Sequence, residues 1–536
     1  MFLTFFSSAG TAACSGADID TEDNPDITDS TSDELQLEAA PVALDKVIPA
    51  PVSVQSSASQ THTITQSTVI YTEANSAEAA RVGEYLGTLL RPATGYPLPV
   101  RPASSVSSGI VLLLTGANPK VGASGYELDV DPSRILVRAN TGAGLFAAVQ
   151  TLRQLLPVTI EGSSTQTGPW QVAGGHVLDY PKFGYRGAML DVARHFFPEG
   201  TVKRYIDHLA RYKLNYLHLH LSDDQGWRIQ IDAYPRLATY GGSTQVGGGP
   251  GGYYTKAVYT DIVDYAAARY ITIVPEIDMP GHTNAALASV AELNCDNKAK
   301  PLYTGTDVGF STFCMDAQHR DVVVKFVGDV VRELAALTPG PYIHLGGDEA
   351  SSTSEPDYLA FEQRVMPLVA QAGKKLIGWH EILKANPETS AIPQYWGTTP
   401  TDSSVQAAAK RGLKILLSPA NKAYLDMKYN RNTPLGQDWA GLIEARDAYN
   451  WNPASYLTGV SSSSVAGIEA PLWTETLTTL AHIEYMIFPR LPALAERGWA
   501  SANQTWDQFK QRLAAQGPRW KKANITYYAS PQVPWP

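Results

Sequence analysis

Two adjacent carboxylates at the end of a predicted strand are the most chemically suggestive feature of this sequence. Asp348 and Glu349 follow the apolar run YIHL and two glycines in the stretch PYIHLGGDEA. Like charges repel, and a strand end near a core is a costly place for two of them. The pair therefore belongs either to a solvated loop or to a site that needs both acids, for example one that moves a proton.

Eight short apolar segments alternate with helical patterns from Phe183 onward, and the acid pair follows the fourth. The segments are RGAMLDV, NYLHLHL, ITIVPEID, YIHLGGD, KLIGWHE, AIPQYW, LKILLSP and VAGIEAPLW. Stretches such as TVKRYIDHLARYK and VVVKFVGDVVRELAAL, which lie between them, repeat apolar residues at helical spacing. This alternation predicts a (β/α)₈ TIM barrel over residues 181–536, an α/β fold.

The active site of such a barrel lies at the carboxyl ends of its strands. A polar or aromatic residue follows every predicted strand, and a single Trp at such a place is more often a core residue than a ligand platform. Three of them around one mouth instead predict a pocket. The residues are Arg194, His195, Asp223, Asp224, Glu276, Asp278, His282, Asp348, Glu349, Trp379, Trp396, Tyr424, Asp426, Trp473 and Glu475.

His218 and His220 alternate on one face of the second predicted strand, and such a pair can bind a metal. No third ligand follows at a matching spacing, and inward positions of a barrel strand usually serve packing or support. We therefore predict neither a metal nor a cofactor. His344 is expected to be a satisfied core residue.

Seven motifs, in order along the predicted barrel, resemble those of family 20 glycoside hydrolases, the β-N-acetylhexosaminidases. They are YRGAMLDVARHFFP, YLHLHLSDDQGWRI, EIDMPGH, HLGGDE, IGWHE, YLDMKY and PLWTE. The resemblance runs from about Phe183 to Trp499, and the region before it resembles the α+β domain that these enzymes carry. One departure is His380, where many relatives have Asp or Glu.

The resemblance implies catalytic roles for three residues. Glu349 would be the general acid and base, and Asp348 would accept the N–H of the substrate's 2-acetamido group. Tyr424 would donate a hydrogen bond to the acetamido carbonyl oxygen, which attacks the anomeric carbon to form an oxazolinium ion. This family is an exception to the rule of two carboxylates facing each other across the scissile bond.

The resemblance also implies which residues hold the sugar. Trp379, Trp396 and Trp473 would enclose the acetyl group and the ring face. Arg194 would bind the 3- and 4-hydroxyls, which its planar fork suits. Further contacts and supports are expected from Glu475 (4- and 6-hydroxyls), Asp426 (6-hydroxyl), and Asp223 and His282 (orientation of Glu349 or of the pocket floor).

The sequence thus predicts a retaining exo-β-N-acetylhexosaminidase acting on terminal β-linked N-acetylglucosamine or N-acetylgalactosamine in an amino-sugar glycan or chitooligosaccharide. One alternative is a family member that releases a disaccharide, as a lacto-N-biosidase does. Another is an inactive carbohydrate-binding barrel, against which the intact acids argue. A third is a glycosidase with a protein nucleophile, for which Glu276 or Asp278 would be the obvious candidate.

The chain before the barrel predicts three further parts. Residues 47–180 mix strand-like runs, such as RILVRA, with helical patterns, such as GAGLFAAVQTLRQLL, and predict a smaller α+β domain. Residues 17–46 contain ten acids and no Lys or Arg before Lys46, which predicts a disordered tether. The remaining 42 acids equal the 42 Lys and Arg residues, so no basic patch for nucleic acid is expected.

Residues 1–16 predict a leader. The short apolar run and the small residues before Cys14 resemble a bacterial secretion signal. Lipidation of Cys14 would make the protein a cell-surface lipoprotein, whereas an ordinary signal peptide with an incidental Cys would give a secreted one. The match to a lipoprotein signal is imperfect, since no Lys or Arg precedes the apolar run and Thr11 stands where Leu is preferred.

Two of the three cysteines, Cys295 and Cys314, lie in one loop-like segment. In an exported protein this spacing favours a disulfide, with two free thiols as the alternative.

Overall fold

The computed structural model describes residues 40–103, 106–500 and 504–536. The predicted leader with Cys14, and residues 17–39 of the predicted tether, lie outside these residues. Leu44 is 1% exposed and packs in the core of the smaller domain. The packed chain therefore includes residues before position 47, where we placed the boundary. Within the described ranges, no helix has the length and apolarity to cross a membrane.

The smaller domain is a mixed sheet with two helices. Its elements are β1 (Ser53–Ile64), β2 (Ile70–Glu73), α1 (Ala77–Thr94), β3 (Val100–Ala103), β4 (Gly109–Leu113), β5 (Tyr126–Val130), β6 (Arg134–Ala139), α2 (Gly142–Leu155) and β7 (Trp170–Asp179). The strand order is β1-β7-β5-β6-β4-β2-β3. Antiparallel pairing joins the first four strands, and parallel pairing joins β6, β4, β2 and β3.

Helix α1 has the ends that its sequence predicts. At its start, the Ser76 hydroxyl accepts a hydrogen bond from the Ala79 N–H, as an N-cap residue should. At its end, Gly95 adopts a left-handed φ of 66° and donates its N–H to the Arg91 carbonyl. Its apolar face, which includes Val82 and Leu86, is buried in the core of this domain.

Eight parallel strands close the barrel, and each coincides with one of the eight predicted segments. They are β8 (Tyr185–Asp191), β9 (Tyr216–His220), β12 (Thr272–Glu276), β13 (Tyr342–His344), β14 (Lys375–Trp379), β15 (Ile392–Tyr395), β16 (Ile415–Leu417) and β17 (Val465–Ala470). A short hairpin of two-residue strands forms a sheet of its own, made of β10 (Ser222–Asp223) and β11 (Gly226–Trp227). The predicted fold class, a TIM barrel preceded by a smaller α+β domain, is confirmed.

Helices surround the barrel and continue after its last strand, and the final one ends at Lys522. They are α3 (Glu199–Arg211), α4 (Arg236–Thr239), α5 (Lys256–Ala267), α6 (Asn284–Ser289), α7 (Arg320–Leu337), α8 (Glu355–Gln371), α9 (Ser403–Lys410), α10 (Ala420–Ala423), α11 (Ala445–Tyr449), α12 (Leu480–Ile487), α13 (Arg490–Trp499), α14 (Trp506–Ala514) and α15 (Gln516–Lys522).

The barrel interior is layered. Apolar side chains from the strands, including Val274, Ile377 and Leu416, form a separate small core. Beside them, the rings of Tyr185 and Tyr216, near the strand starts, stack 4.0 Å apart. Charged side chains follow toward the carboxyl ends, so that the strands present apolar packing below and a polar layer above. This polar layer is the base on which the site is built.

A buried ionic cluster joins the smaller domain to the barrel. The Glu161 carboxylate forms an ion pair with Arg153 of its own domain. It forms a second one with Arg211 from α3, whose guanidinium nitrogen lies 3.0 Å away. Although burial would raise the pKa of Glu161, the arginines outweigh it and lower the pKa to about 2. Truncating one partner of such a cluster leaves buried charge uncompensated, which typically costs 3–5 kcal/mol. The two domains are therefore tied by charge as well as by apolar contact.

Cys295 and Cys314 are bridged in the segment between β12 and α7. We expect Cys295→Ser/Cys314→Ser to lower the free energy of unfolding by about 3 kcal/mol, because a crosslink of this span restricts the unfolded chain. Urea denaturation measures the change. As a control, dithiothreitol should destabilise the native protein equally and leave the double variant unchanged. Identical midpoints for the oxidised protein and the variant would contradict the expectation.

Candidate active site

A cavity of about 480 Å³ opens at the carboxyl ends of the barrel strands. Its size falls within the range of small-molecule sites. Eight of the nine residues predicted to catalyse or bind substrate line it, as does His282. The lining residues are Arg194, His282, Thr306, Val308, Asp348, Glu349, Trp396, Tyr424, Asp426, Gln437, Trp439, Trp473 and Glu475.

The two glycines before the acid pair are required by the turn that aims it into the cavity. Gly346 and Gly347 have φ angles of 69° and 101°, a region that disfavours residues with a Cβ. A Cβ on Gly346 would lie 1.7 Å from the Asp278 carboxylate. That carboxylate accepts the Gly347 N–H at 3.2 Å and so fixes the turn. Both acids can then follow a buried strand and still reach one cavity.

Glu349 is the more accessible acid and is backed by a chain of buried charges. Its side chain is 38% exposed, and its Oε2 lies 3.5 Å from His282 Nε2. The other ring nitrogen of His282 lies 3.2 Å from Asp223. Although burial would lower the pKa of His282, Asp223 outweighs it and raises the pKa well above its usual value. His282 and Asp223 thus lie in line behind Glu349, and their role in orienting it stays a prediction.

Asp348 lies deeper and is electrostatically different from its neighbour. Burial, reinforced by the Glu381 and Glu349 carboxylates and opposed by His282, raises its pKa to about 7. Its Oδ1 has no hydrogen-bond partner among the described residues. The carboxyl group can therefore accept an N–H from a ligand, and positive charge on that ligand would favour its ionised form.

Arg194 is held rigidly at one side of the cavity. Its guanidinium lies 2.8 Å from Asp223 and 3.6 Å from Asp191, and it stacks 4.8 Å from the ring centre of Trp473. Asp191 also accepts the Arg194 backbone N–H at 3.0 Å. These contacts fix the planar donor fork before any ligand arrives, which lowers the ordering cost of binding.

Two further acids, the buried Asp426 and the partly buried Glu475, line the cavity. Burial, together with the Glu475 carboxylate, raises the pKa of Asp426 well above its usual range. Burial likewise raises the pKa of Glu475, against the opposing Arg194. Asp426 Oδ2 lacks a partner among the described residues. Each acid can accept a hydrogen bond from a sugar hydroxyl.

Aromatic residues form the walls of the cavity. Trp396 donates its indole N–H to Glu381 at 3.1 Å. Trp439 packs edge-on against both Trp396 and Tyr424, with ring centres 5.9 Å apart in each pair. Apolar ring faces beside fixed hydroxyl acceptors suit a carbohydrate, whose rings carry both kinds of surface.

Trp379 differs from its predicted place in the wall. It is fully buried, is not among the lining residues and donates its indole N–H to Glu276 at 3.0 Å. Its ring lies 5.9 Å from that of Trp473, which does line the cavity. Trp379 therefore packs behind the cavity wall, because the hydrogen bond to Glu276 orients the indole N–H toward the barrel interior.

Glu276 is the centre of the polar layer beneath the site. Besides Trp379, it contacts His220, His218 at 3.0 Å and His344 at 2.8 Å, and all are fully buried. These contacts occupy both carboxylate oxygens. Glu276 is thus a structural hub, and neither it nor Asp278 lines the cavity where a nucleophile would have to reach a sugar.

Four lining residues were not predicted from the sequence, namely Trp439, Gln437, Thr306 and Val308. All lie in loops that follow strands β16 and β12, well beyond the strand ends. Trp439 is 56% exposed, which is unusual for so large an aromatic residue. A Trp in the loop-like stretch GQDWAGL was the one available signal.

Comparison with known proteins gives a consistent result. Residues 183–502 match the model of "Glycosyl hydrolase family 20, catalytic domain", and residues 45–180 match "Glycosyl hydrolase family 20, domain 2". A β-N-acetylhexosaminidase of Cellulomonas fimi is 41% identical over 493 residues, which span 91% of this chain and 97% of that protein.

Solved structures of similar proteins give the same family as these sequence comparisons. The β-N-acetylhexosaminidase of Streptomyces coelicolor A3(2) is 56% identical, with a TM-score of 0.90 over 93% of this chain and 100% of that one. A mutant Streptomyces plicatus β-hexosaminidase in complex with its product, GlcNAc, is 56% identical, with a TM-score of 0.89 over 93% and 99%. The resemblance inferred from the motifs is confirmed, and this chain belongs to glycosyl hydrolase family 20.

Proposed function

We propose that the protein is a retaining exo-β-N-acetylhexosaminidase that removes terminal, non-reducing β-linked N-acetylglucosamine or N-acetylgalactosamine through an oxazolinium intermediate. The observation that carries the proposal is the placement of Asp348 and Glu349. Although adjacent in sequence, both line one cavity, while Glu276 and Asp278 stay outside it. The site thus offers a proton donor and a charge acceptor, with the nucleophile left to the substrate.

In the first step, Glu349 donates a proton to the glycosidic oxygen while the bond between that oxygen and the anomeric carbon breaks. The acetamido carbonyl oxygen of the substrate forms a bond to that carbon. Asp348 accepts the acetamido N–H and stabilises the positive charge that develops on this group. Tyr424 donates a hydrogen bond to the attacking oxygen. A nucleophile held in line within the substrate can supply about 7–11 kcal/mol of the barrier.

In the second step, Glu349 takes a proton from water. The water oxygen attacks the anomeric carbon from the face that the leaving group vacated, and the bond to the acetamido oxygen breaks. The sugar is released with its β configuration, so the reaction is retaining. His282, held by Asp223, stays beside Glu349 through both proton transfers.

Removal of a single sugar is supported by the polar end of the cavity. Arg194 and Asp426 are 4% and 1% exposed, so they would bind hydroxyl groups away from water. A disaccharide in the same place would require these groups to open. The presence of both acids in the cavity likewise disfavours a barrel that only binds sugar, because such a site needs no proton donor.

Outside the cell is the proposed location, either secreted or tethered to a bacterial surface. The disulfide between Cys295 and Cys314 supports it, because such bonds persist in oxidising compartments. The proposed substrate is an amino-sugar glycan or a chitooligosaccharide.

Glu349→Gln and Asp348→Asn should differ in how strongly their loss of activity depends on the leaving group of the substrate. Glu349→Gln should slow cleavage of a poor sugar leaving group by about 10²–10⁴-fold but affect an activated aryl group less, because the latter needs less protonation. Asp348→Asn should slow both by similar factors of about 10²–10³, since it acts on the acetamido group. Steady-state kinetics with chitobiose and a nitrophenyl glycoside measures this. An identical leaving-group dependence would contradict the assignment.

Loss of the 2-acetamido group of the substrate should lower kcat/KM by more than the loss of a single hydrogen bond would. Replacing it with a hydroxyl removes the nucleophile, so the loss in kcat/KM should approach about 7–11 kcal/mol. A lost hydrogen bond would account for only about 1–3 kcal/mol. Paired nitrophenyl N-acetylglucosaminide and glucoside give the ratio.

Intact mass spectrometry during turnover of a slow substrate completes this test. No carboxylate of the chain should carry a sugar, and Glu276→Gln should not alter that result. A covalent glycosyl adduct would instead identify a protein nucleophile.

Trp439→Ala should weaken binding beyond the first sugar. Trp439 stands exposed at the cavity wall, where its ring can stack on the next sugar, and such contacts contribute about 0.5–1.5 kcal/mol. We expect a KM for chitotriose that is about 3–10-fold higher. Binding of a thiazoline mimic of the cyclised intermediate, which fills only the first position, should be unchanged and serves as the control. Equal weakening of both ligands would place Trp439 in the first position instead.

A further inference from the structure

Three groups of metal-ligand type converge on the cavity from two strands of the barrel. His282 Nε2 lies 3.5 Å from Glu349 Oε2 and 3.9 Å from Asp348 Oδ2. We propose that His282, Asp348 and Glu349 form a binding site for a divalent transition-metal ion, of which Zn²⁺ is the best fit. The ion would reversibly block the site.

The spacing of the three groups suits zinc. Zinc binds His nitrogen and carboxylate oxygen at about 2.0–2.2 Å, so tetrahedral ligand atoms lie roughly 3.3–3.6 Å apart. The two measured separations come within a few tenths of an ångström of that range. One ion could therefore bridge the imidazole and both carboxylates after small rotations of the side chains. The open cavity leaves the fourth position to water.

His282 is oriented as zinc-binding histidines are. Its Nδ1 faces the Asp223 carboxylate at 3.2 Å, and Asp223 is fixed by Arg194 and by His220, each 2.8 Å away. A carboxylate behind the ring sets its direction and strengthens the other nitrogen as a ligand. That nitrogen, Nε2, is aimed at the cavity and has no hydrogen-bond partner among the described residues, although His282 is only 2% exposed.

The charge around the site favours a dication. Besides the two carboxylate ligands, Asp223 and Asp224 lie 3.2 and 4.0 Å from His282 Nδ1. A carboxylate oxygen of Asp278 lies within 4.8 Å of His282 and of Asp223. Arg194 is the cationic side chain that shares the cavity lining with these ligands. Zinc requires the lone pair of Nε2 and so displaces any proton there. A double positive charge compensates the clustered acids better than that proton does.

Other clusters of potential ligands within the described chain are less suited. His218, Glu276 and His344 are fully buried, and their contacts to one another already occupy the carboxylate. The sulfur atoms of Cys295 and Cys314 are joined in the disulfide. The cluster of His282, Asp348 and Glu349 combines an unpartnered nitrogen with access from solvent.

Bound zinc would occupy the groups that the reaction needs. The oxygens of Glu349 and Asp348 would face the ion, so neither could serve the glycosidic oxygen or the acetamido N–H. Zinc and the amino sugar would therefore exclude each other. Inhibition should be competitive and fully reversed by a chelator.

The test is calorimetric titration of the full chain, freed of metal with EDTA, with ZnCl₂. We expect one zinc ion per chain, and at least tenfold weaker binding in His282→Gln and in Asp348→Asn. A saturating thiazoline mimic should abolish the binding heat. The matched control is His176→Gln, which removes a histidine beside Asp129 and Glu127 on the sheet of the smaller domain and should bind zinc normally.

The outcomes separate cleanly. No binding to the native chain, or unchanged binding in both cavity variants, would overturn the site. Loss of binding in His176→Gln would move it to the smaller domain. If His282→Gln failed to fold by circular dichroism, Asp348→Asn and the thiazoline competition would still decide. The heat of binding does not depend on turnover, so a failure of the proposed reaction would be visible separately.

Discussion

The site depends most on one buried carboxylate, Asp223. Its two oxygens contact three cationic groups: Arg194 and His220 at 2.8 Å, and His282 at 3.2 Å. Burial alone would raise the pKa of Asp223, but these groups, led by Arg194, hold it far below its usual value. Asp223 thereby joins the side chain proposed to bind sugar hydroxyls to the one that backs Glu349. Removing it would leave buried positive charges unpaired, a loss typically of 3–5 kcal/mol.

The polar layer below Asp223 explains why a barrel interior can be charged and still rigid. Glu276 contacts His218, His220 and His344, and Glu469 contacts His218, so each buried carboxylate has an imidazole neighbour. Burial lowers the pKa of His344, so the charged rings are those of His218 and His220. Burial opposes charge on His218 and His220, yet the carboxylates raise the pKa of these rings to about 10 and 9. The imidazolium rings then act as fixed crosslinks between strands. Trp379 is anchored on this layer, and Trp473 packs against His220 above it.

Sequence patterns predicted the barrel well because of how parallel strands are buried. Such strands have both faces covered and read as short apolar runs, so all eight could be found without knowing their partners. Residues next to strand ends can be located equally well, and Arg194, Asp348 and Glu475 all line the cavity at the strand ends. Trp379 also follows this rule by position, but the direction of its side chain depends on Glu276, a partner on another strand.

Loops carry no comparable periodic signal. Trp439 and Val308 reach the cavity through segments whose paths are set by distant contacts, one of them the bridge at Cys314. The folded path of such a segment depends on tertiary packing, which spacing along the chain does not encode. For the same reason, the hub role of Asp223 could be guessed only as a supporting one. Its three partners come from three separate stretches of sequence.

The electrostatics of Asp348 links the fold to the proposed chemistry. For a carboxyl group whose pKa is raised to about 7, the ionised form is destabilised in the free enzyme. Positive charge that develops on a bound acetamido group would relieve this penalty, and neutral substrate would relieve it less. The interaction is then stronger in the transition state than in the ground state, which is the condition for raising kcat. Burial of two adjacent acids at a strand end destabilises their ionised forms. A ligand that develops positive charge offsets this destabilisation, so the site favours such a ligand.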